Sequence, residues 1–297
     1  MSNPPPSISV IIPCFNMAAY LGATLESVVR NDFPGLELIV VDGGSADGSV
    51  DIIRRYEQHI SWWCSEPDDG QYAALNKGFE HATGEILAWL GADDLYFPWT
   101  LATVGSLMKS FPKVDWLTSR FPVLFNADGV AIESSRATPL NPVAFYRGHN
   151  LPIGMHHRGG GRFIQQESTF WRRGLWERCG ARLDESVTLA ADFDLWARFF
   201  EHAECWSVEA LLAGFRRRTD QRSSNLDLYR DEATRVLARY GQFPRAQASP
   251  RPGSVLSRIP GMPLRLRERW GAVCAGPVLR FQPRTQSWIE TIEYFPT

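Results

Sequence analysis

Carboxylate side chains recur at the ends of short apolar segments in the first hundred residues. Asp42 ends one such segment, Asp68 and Asp69 follow another, and Asp93 and Asp94 follow a third. Two adjacent carboxylates repel each other unless a positive charge lies beside them, and a divalent cation with oxygen ligands is the usual source of that charge. Asp93 and Asp94 therefore suggest a metal site. The pair also fits one helix cap beside one solvated carboxylate, and spacing alone leaves both interpretations open.

A second acidic pair lies far along the chain, in the segment Ala191-Asp192-Phe193-Asp194-Leu195-Trp196. Positions i and i+2 at a helix start point to different faces, so we expect only one of these two carboxylates to face a site. The alternative is that both complement the positive end of the helix dipole.

Sequence motifs exclude several other kinds of site. The first apolar segment ends in Pro13-Cys14-Phe15-Asn16 and lacks the G-x-G-x-x-G that seats a dinucleotide on a helix. No Gly-Lys-Ser/Thr follows the glycine-rich stretch 43–48, which excludes a P-loop and by itself indicates a tight turn. The adjacent histidines His156 and His157 would point apart in an extended segment, so at most one would bind a metal.

Strands and helices that would position these side chains alternate along the first ninety residues. Apolar, largely β-branched segments predict buried strands at 7–13, 36–41, 60–64 and 86–90, and helical spacing of apolar residues predicts a helix after each of the first three. This alternation predicts right-handed crossovers and a doubly wound sheet. Such sheets bind ligands at the carboxyl ends of their strands, which is where the first acidic residues lie.

The pattern is weaker after residue 100. Helices are predicted at Leu101–Phe111, Ala190–Phe200 and Leu226–Tyr240, strands at Asp115–Phe125 and Glu167–Trp171, and a hairpin turn at Asp128-Gly129. Residues 148–162 form a glycine-rich stretch that is long enough to close over bound substrates as a lid.

Composition limits the class of protein. The chain of 297 residues is 44% hydrophobic and 22% charged, which is typical of a soluble globular protein. No apolar run approaches the ~18 residues that cross a bilayer, and the first residues lack a secretion signal, so we expect a cytoplasmic location. The five scattered cysteines indicate neither a zinc site nor a disulfide framework.

Charge is distributed unevenly along the chain. Residues 241–297 carry eight arginines and three glutamates, a local charge of +5, which leaves −7 for residues 1–240. The Pro-, Gly- and Arg-rich composition predicts a linker and an appendage after residue 240. Its arginines and aromatic residues, first at 264–270, fit peripheral contact with a membrane, or packing against the rest of the chain or a second subunit of a homo-oligomer. Nucleic acid is not expected as a partner, because the body of the protein is acidic.

Taken together, these segments resemble the family 2 glycosyltransferases with the GT-A fold. The matching segments are SVIIPCFN (9–16), ELIVVDGGSADGS (37–49), SEPDDGQY (65–72), ALNKG (74–78), ATGE (82–85), WLGADD (89–94), QESTFWRR (166–173) and DFDLWAR (192–198). The likeness spans roughly residues 7–222 in the right order. Several motifs in register are more specific than any one of them.

The resemblance implies a fold and an activity. The fold would be a Rossmann-like, mixed and mainly parallel sheet sandwiched by helices. Residues 1–240 would form the glycosyltransferase domain, with a nucleotide-binding half (1–100) and an acceptor half (101–240), followed by a C-terminal extension (241–297). The activity would be inverting transfer of a sugar, as in hexosyltransferases, from a nucleoside-diphosphate sugar. By family habit the nucleotide is UDP, and the acceptor is a hydroxyl of a glycan or lipid-linked molecule in surface polysaccharide biosynthesis.

It also implies roles for individual residues. The nucleotide-binding positions are Pro13, Phe15, Asn16, Asp42, Asp68, Gln71 and Asp93, and the positions for Mn²⁺ or Mg²⁺ are Asp93 and Asp94. Asp192 matches the general base, and Gln166, Glu167, Trp196 and Arg216 match the acceptor or sugar site.

Two positions depart from the family pattern. Gly91 stands where relatives often carry Asp or Asn, and Arg218 stands where many carry His. The metal site then has two acidic residues rather than three. An arginine at 218 would itself contact a diphosphate through bidentate hydrogen bonds, or it would be a solvated basic strand end.

Two other functions remain open from the sequence. A sugar-1-phosphate nucleotidyltransferase would share the α/β sheet and the acidic residues, but it needs a glycine-rich basic loop where this chain has Pro13-Cys14-Phe15-Asn16. The other is a nucleotide-sugar-binding protein that keeps the fold without catalysis.

Overall fold

Strands and helices alternate through most of the chain in the computed structural model, which describes residues 4–151, 163–219, 221–240, 263 and 273–296. The strands are β1 (Ile8–Cys14), β2 (Leu36–Asp42), β3 (Trp62–Ser65), β4 (Ile86–Trp89), β5 (Leu95–Tyr96), β6 (Trp116–Ser119), β7 (Val123–Phe125), β8 (Ala131–Ser134), β9 (Thr169–Arg172), β10 (Cys205–Val208), β11 (Ala213–Arg216), β12 (Val273–Gln282) and β13 (Ser287–Pro296). The helices are α1 (Ala18–Val29), α2 (Ser49–Tyr56), α3 (Gln71–His81), α4 (Thr100–Ser110), α5 (Pro142–Tyr146), α6 (Arg173–Arg178), α7 (Ala191–Phe200) and α8 (Leu226–Arg239). Short 3-10 turns lie at Glu57–His59, Gln166–Ser168 and Arg222–Ser224.

The main sheet has nine strands in the order β13-β12-β10-β6-β9-β4-β1-β2-β3. β1 pairs in parallel with β2 and β4, and β2 pairs in parallel with β3. β9 runs antiparallel between β4 and β6. The predicted α/β class and the mixed, mainly parallel sheet are therefore confirmed.

Helices pack on both faces of this sheet and enclose two apolar cores. Successive residues of a strand point to opposite faces, so Ile11 packs in one core with Phe79 and Trp171, while Ile12 packs in the other with Leu25. Every residue of β1 is buried. A strand that is covered on both sides favours apolar side chains, which explains the almost wholly apolar segment in the sequence. The exception, Ser9, donates its hydroxyl proton to Glu37 and accepts from the Gly84 N–H.

The strand order brings the predicted site residues to one edge of the sheet. From β1 the chain adds β2 and β3 on one side and β4 on the other, so the sheet has a switch point between β1 and β4. Because β9 runs antiparallel to β4, the turn Gln166–Ser168 that precedes β9 lies at the edge where β4 ends.

A second sheet has four strands, in the order β5-β11-β7-β8. The single strand predicted over Asp115–Phe125 is wrong, because these residues form β6 of the main sheet and β7 of the second sheet. Pro122 lies between them and has no N–H to continue a ladder. The predicted turn at Asp128-Gly129 is confirmed, since β7 and β8 pair as an antiparallel hairpin around it.

The predicted appendage after residue 240 needs correction for residues 273–296. β12 pairs in parallel with β10, and β13 pairs antiparallel with β12, so both strands belong to the main sheet. Arg120, which is 3% exposed, forms ion pairs with Glu209 at 2.9 Å and with Glu293 of β13 at 2.6 Å. The composition of 241–297 as a whole did not indicate these strands, and the strand that β12 pairs with lies some seventy residues earlier in the chain.

Some predictions concern residues outside the described part of the chain. They are the lid proposed for 148–162, of which 152–162 lie outside, the pair His156 and His157, and the basic segment 264–270. Among the helices that are described, none has the length and apolar character needed to cross a membrane.

Candidate active site

Asp42 holds together the loops that follow β2 and β3. Its Oδ2 accepts hydrogen bonds from the backbone N–H groups of Gly44 and Ser45, at 3.1 and 2.9 Å, and from the Ser65 hydroxyl at 2.7 Å. Its Oδ1 accepts from the Ser45 hydroxyl at 2.5 Å. The side chain is fully buried. Asp42, which the resemblance assigns to the nucleotide, is thus the residue that fixes the shape of the glycine-rich turn after β2.

The end of β1 meets the same loop. Asn16 has a φ of +52°, a left-handed conformation that asparagine tolerates. Its backbone N–H donates to the Ser45 hydroxyl at 2.7 Å, and its Oδ1 accepts from the Ala46 N–H at 3.0 Å. Pro13 is buried within the strand, whereas the Phe15 side chain is 59% exposed. Phe15 therefore has an aromatic surface free to contact a ligand, and Pro13 and Asn16 support it.

Asp68 and Gln71 lie beyond β3, beside this loop. A Cβ built on Gly43 would lie 2.9 Å from Asp68 Oδ2, so the absence of a side chain at 43 lets the Asp68 carboxylate approach. Asp68 Oδ1 also accepts from the Gly70 N–H at 2.8 Å. Gln71 begins α3, and its Oε1 accepts from Arg222 at 3.2 Å. The structure thus brings Phe15, Asp68 and Gln71 to neighbouring loops at one edge of the sheet.

Asp93 and Asp94 follow β4 and have different partners. Asp93 Oδ2 forms an ion pair with Nε of Arg218 at 2.6 Å. Asp94 is buried, and its Oδ1 accepts from the backbone N–H of Arg216 at 2.9 Å. Burial raises the pKa of Asp94 well above its ordinary value, and the nearby charges of Asp93 and Glu167 raise it further. The positive charge expected beside this pair is supplied, for Asp93, by an arginine.

Arg216 supports the loop after β4. Its Nε donates to the Asp93 carbonyl and its Nη1 to the Ala127 carbonyl, both at 2.6 Å. The guanidinium groups of Arg216 and Arg218 lie over the ring of Tyr20, at 5.2 and 5.5 Å from its centroid. Arg216 is buried by these contacts. Its assignment to the acceptor or sugar site is therefore corrected to a supporting role, because its side chain is held by backbone carbonyls.

The donor set around Gly91 fits a divalent cation that is held partly by substrate. A Cβ on Gly91 would lie 2.6 Å from Asp94 Oδ2 and 3.1 Å from Asp93 Oδ1, so both carboxylates converge where this side chain is missing. No cluster of three or more His, Cys, Asp or Glu side chains suited to a metal occurs among the described residues. Two carboxylates with phosphate oxygens and waters are a common environment for Mg²⁺.

Glu167 lies within electrostatic reach of Asp93, after β4, and of Asp192, at the start of α7. It is 4% exposed, and its Oε1 has no hydrogen-bond partner among the described residues. Burial raises the pKa of Glu167 to about 8, and the charges of Asp192 and Asp93 contribute to that rise. The neighbouring Gln166 donates from Nε2 to the carbonyl of Trp89 at the end of β4. Glu167 is thus a largely protonated carboxyl at neutral pH with one oxygen unsatisfied.

Asp192 lies at the start of α7 and is 9% exposed. Its Oδ1 accepts from the Tyr229 hydroxyl at 3.0 Å and from the Phe193 N–H at 2.7 Å. Burial raises the pKa of Asp192 to about 7, although both hydrogen bonds oppose the rise. Asp194 instead forms an ion pair with Arg198 at 3.0 Å, so the two carboxylates face different surroundings as the helical spacing predicted.

Trp196 belongs to the apolar core. Its ring is 1% exposed and stacks against Trp89 and Trp116, with centroids 5.9 and 5.4 Å apart. At 1% exposure and packed against two other indoles, it offers no surface to a sugar. The assignment of Trp196 to the acceptor or sugar site is corrected for this reason.

Three residues near Asp192 were not assigned a role from the sequence. Tyr229 and Glu232 come from α8, and Tyr72 comes from α3. Tyr72 donates to the Leu189 carbonyl at 2.5 Å, just before α7. Each lies at least thirty-seven positions from Asp192, and the separation of Tyr229 is the smallest. No local spacing could have identified them. The available signal was a tyrosine among the apolar residues of α3 and of α8.

Residues 9–174 match the model of a family described as Glycosyl transferase family 2. A PGL/p-HBAD biosynthesis glycosyltransferase of Mycobacterium tuberculosis is 41% identical over 107 residues, which are 35% of this chain and 42% of that protein. An uncharacterized glycosyltransferase of Rickettsia felis is 23% identical over 231 residues, 76% of this chain and 37% of that protein. The matches therefore cover less than half the length of either relative.

Two solved structures have a similar fold. S. aureus TarS 1-349 in complex with UDP-GlcNAc aligns with a TM-score of 0.61 and 19% identity, over 78% of this chain and 65% of that one. The mannosyltransferase PcManGT of Pyrobaculum calidifontis, in complex with GDP-Man and Mn²⁺, aligns with a TM-score of 0.55 and 23% identity over 78% and 65%. The fold expected from the resemblance, GT-A, is confirmed.

Proposed function

The chain belongs to glycosyl transferase family 2, and on that premise we propose that it is an inverting enzyme that transfers a sugar from a nucleoside-diphosphate sugar to a hydroxyl group. The observation that supports the proposal is the buried carboxylate of Asp192 at the start of α7, with its raised pKa. Glu167 connects the two regions, because the charges of Asp93 and Asp192 both act on it.

In this proposal Asp192 is the general base. A hydroxyl group is a weak nucleophile until its proton leaves, and a carboxylate with a pKa near the working pH removes that proton effectively. The acceptor O–H gives its proton to Asp192 while its oxygen bonds to the anomeric carbon. The bond from that carbon to the diphosphate oxygen breaks, and the electron pair leaves with the diphosphate. A single displacement of this kind inverts the anomeric centre.

The leaving diphosphate would be held at the loop after β4. We assign Asp93 and Asp94 to hold Mn²⁺ or Mg²⁺, which when bound offsets phosphate charge as a Lewis acid. Arg218 would contribute as well, because its guanidinium is already at this loop and matches phosphate geometry in a bidentate way. Asp93 would then exchange part of its contact with Arg218 for the incoming ligand.

For the nucleotide we propose UDP. The exposed ring of Phe15 offers a stacking surface for the base, while Asp68 and Gln71 offer hydrogen-bonding groups on adjacent loops. Asp42, Pro13 and Asn16 would act by fixing those loops. UDP-GlcNAc bound to TarS is a precedent within this fold.

The acceptor proposed is a hydroxyl of a glycan or lipid-linked molecule in surface polysaccharide biosynthesis. Glu167 and Gln166 are the side chains that we place nearest to it or to the donor sugar, because the unsatisfied Oε1 of Glu167 would meet a sugar hydroxyl. Peripheral contact with the inner face of a membrane, through the basic residues of 241–272, remains a prediction from composition.

A thermal-shift screen tests the nucleotide assignment, because a ligand that binds the folded state raises the melting temperature. We expect UDP with Mn²⁺ to give the largest shift among nucleoside diphosphates. Asp94→Ala should reduce it, whereas Asp51→Ala, a matched change on the exposed side of α2, should not. If no nucleotide stabilises the protein, the proposal fails.

Turnover tests the base. Slow hydrolysis of UDP-sugars, followed as released UDP, should fall at least a hundredfold in Asp192→Asn, in line with the roughly 10² to 10⁴-fold contribution of general bases. A protein that binds UDP but shows no change in turnover in this variant would instead be a binding protein on the same fold. Release of pyrophosphate from a sugar phosphate and a nucleoside triphosphate would indicate a nucleotidyltransferase.

A further inference from the structure

Two side chains of α8 hold the start of α7, where Asp192 lies. The Tyr229 hydroxyl donates to Asp192 Oδ1 at 3.0 Å. One turn further along α8, the Glu232 carboxylate accepts from the backbone N–H groups of Thr188, Leu189 and Ala190, at 2.8, 2.7 and 3.0 Å. Residues three apart lie on the same face of a helix, so one face of α8 contacts both the carboxylate and the backbone before it.

The hydrogen bonds to Asp192 select one of its oxygens. Among the described residues, both the Tyr229 hydroxyl and the Phe193 N–H donate to Oδ1. Two donors on one oxygen fix the side-chain torsion and leave Oδ2 in the orientation opposite to them. That oxygen is the one available to an acceptor hydroxyl.

The Tyr229 ring is itself held in place. It is buried, with the Phe163 ring at 5.4 Å and the Phe193 ring at 6.5 Å between centroids. Burial and the neighbouring charge of Asp192 raise the pKa of the Tyr229 hydroxyl well above its ordinary value. The hydroxyl therefore keeps its proton throughout the physiological range and remains a donor.

Other charged and polar groups face Asp192 from three elements. Glu232 on α8 places a like charge near it, and the buried Glu167 carboxyl before β9 and the Tyr72 hydroxyl on α3 are within electrostatic reach. The Tyr72 hydroxyl also accepts from the Ala191 N–H at 3.4 Å. Tyr229, by contrast, hydrogen-bonds directly to the Asp192 carboxylate.

We propose that Tyr229 and Glu232 are positioning residues for the general base: Tyr229 orients the Asp192 carboxylate and favours its ionised form, and Glu232 fixes the backbone that carries it and places a like charge beside it. This inference rests on the proposed role of Asp192. It predicts effects of opposite sign for the two residues, which a purely structural role would not produce.

The test is the pH dependence of kcat/KM, which reports the pKa of the free enzyme's base. Tyr229→Phe removes a hydrogen bond that favours the carboxylate, so the acid limb should move up by about one pH unit. At pH 6 this shift corresponds to a roughly tenfold lower kcat/KM than wild type, and at pH 9 the difference in kcat/KM should almost disappear. Glu232→Gln removes a like charge and keeps one acceptor oxygen, so the acid limb should move to lower pH.

Tyr146→Phe is the matched control. The Tyr146 hydroxyl donates to the Ala197 carbonyl of the same helix α7, at 2.6 Å, whereas the tyrosine hydroxyl that donates to Asp192 is that of Tyr229. We expect this variant to lose stability without moving the acid limb. If Tyr229→Phe leaves the limb unmoved, or if Tyr146→Phe moves it equally, the inference is overturned.

The inference can be tested apart from turnover. The carboxyl carbon of Asp192, labelled with ¹³C and assigned by comparison with Asp192→Asn, reports its protonation by NMR in wild type and in both variants. If Asp192→Asn transfers sugar as fast as wild type, the proposed function alone is refuted. An Asp192 titration that is unchanged in Tyr229→Phe and Glu232→Gln would refute the positioning roles, whether or not the enzyme turns over. Should Tyr229→Phe fail to fold, Glu232→Gln decides the role of Glu232, and 3-fluorotyrosine at position 229, a stronger donor that keeps the ring, decides that of Tyr229: a lower pKa of Asp192 supports it and an unchanged titration overturns it.

Discussion

Replacing Asp192 by Asn should stabilise the folded protein, and by more at pH 7 than at pH 5. Burial raises the pKa of Asp192 from 3.8 to about 7 in the folded state. Between these two values the unfolded chain has lost the proton while the folded protein still holds it. The unfolded state gains in relative stability as the pH rises through this window, so wild type loses free energy of unfolding. An asparagine at 192 cannot ionise, and it removes this loss.

The size of the effect follows from the same window. Each pH unit between the unfolded and folded pKa values corresponds to about 1.4 kcal/mol. From pH 5 to pH 7, where the folded carboxyl is about half ionised, the difference between variant and wild type should grow by about 2 kcal/mol. The pH range stays below the pKa of about 8 of Glu167, which is therefore mostly protonated at both ends.

The assay is equilibrium unfolding in urea at the two pH values for wild type and variant. Comparing the variants at two pH values cancels the constant effect of placing an amide in the site. Asp194→Asn is the control on the same helix, and it should destabilise the protein at both pH values because it breaks the ion pair with Arg198. If the advantage of Asp192→Asn is the same at pH 5 and pH 7, Asp192 is not a buried base with a raised pKa, and the mechanism built on it is refuted.

Three further changes test other parts of the structure. Trp196→Ala should lower the free energy of unfolding by about 3–5 kcal/mol, because it empties a core position. A loss below about 1 kcal/mol would show that Trp196 is not a core residue. Arg120→Met should cost about 1–3 kcal/mol in urea unfolding, because it removes the buried partner of Glu209 and Glu293 although Arg136 and Arg280 still pair with both, whereas Arg136→Met, 51% exposed on the same glutamates, should cost less than about 1 kcal/mol. Gly91→Ala should weaken UDP binding in the presence of Mn²⁺ by calorimetry, because its Cβ would lie 2.6 Å from Asp94 Oδ2, and unchanged affinity would show that the carboxylates need not converge there.

Local patterns predicted the first half of the fold well. An almost wholly apolar strand such as β1, followed by a helix, a second apolar strand and a glycine-rich loop, is typical of a doubly wound sheet. The pattern failed at β7, which is only three residues long, and at β12, which contains Gly276 and Pro277. At those places the pairing partner, rather than the local sequence, decides that the segment is a strand.

The candidate site divides in a similar way. The acidic residues after β2 to β4 could be located from the sequence, because strand order alone brings the carboxyl ends of parallel strands to one edge. The sequence could not show that the Asp42 carboxylate accepts hydrogen bonds from its own loop and from Ser65. Nor could it show that the Trp196 ring is buried against Trp89 and Trp116. Those facts depend on side-chain orientation, which motif matching does not supply.

By itself, the sequence determined the class of fold, the family resemblance and the edge of the sheet at which its acidic residues gather, because each follows from short-range periodicity and from the order of strands. Tertiary structure alone decided which groups surround those acids: Arg218 on Asp93, Tyr229 on Asp192, and an unsatisfied oxygen on Glu167. These contacts join side chains that lie tens of residues apart or remove a carboxyl from water. Burial and long-range contact set the basicity of a carboxylate, and neither is encoded in the local spacing of residues.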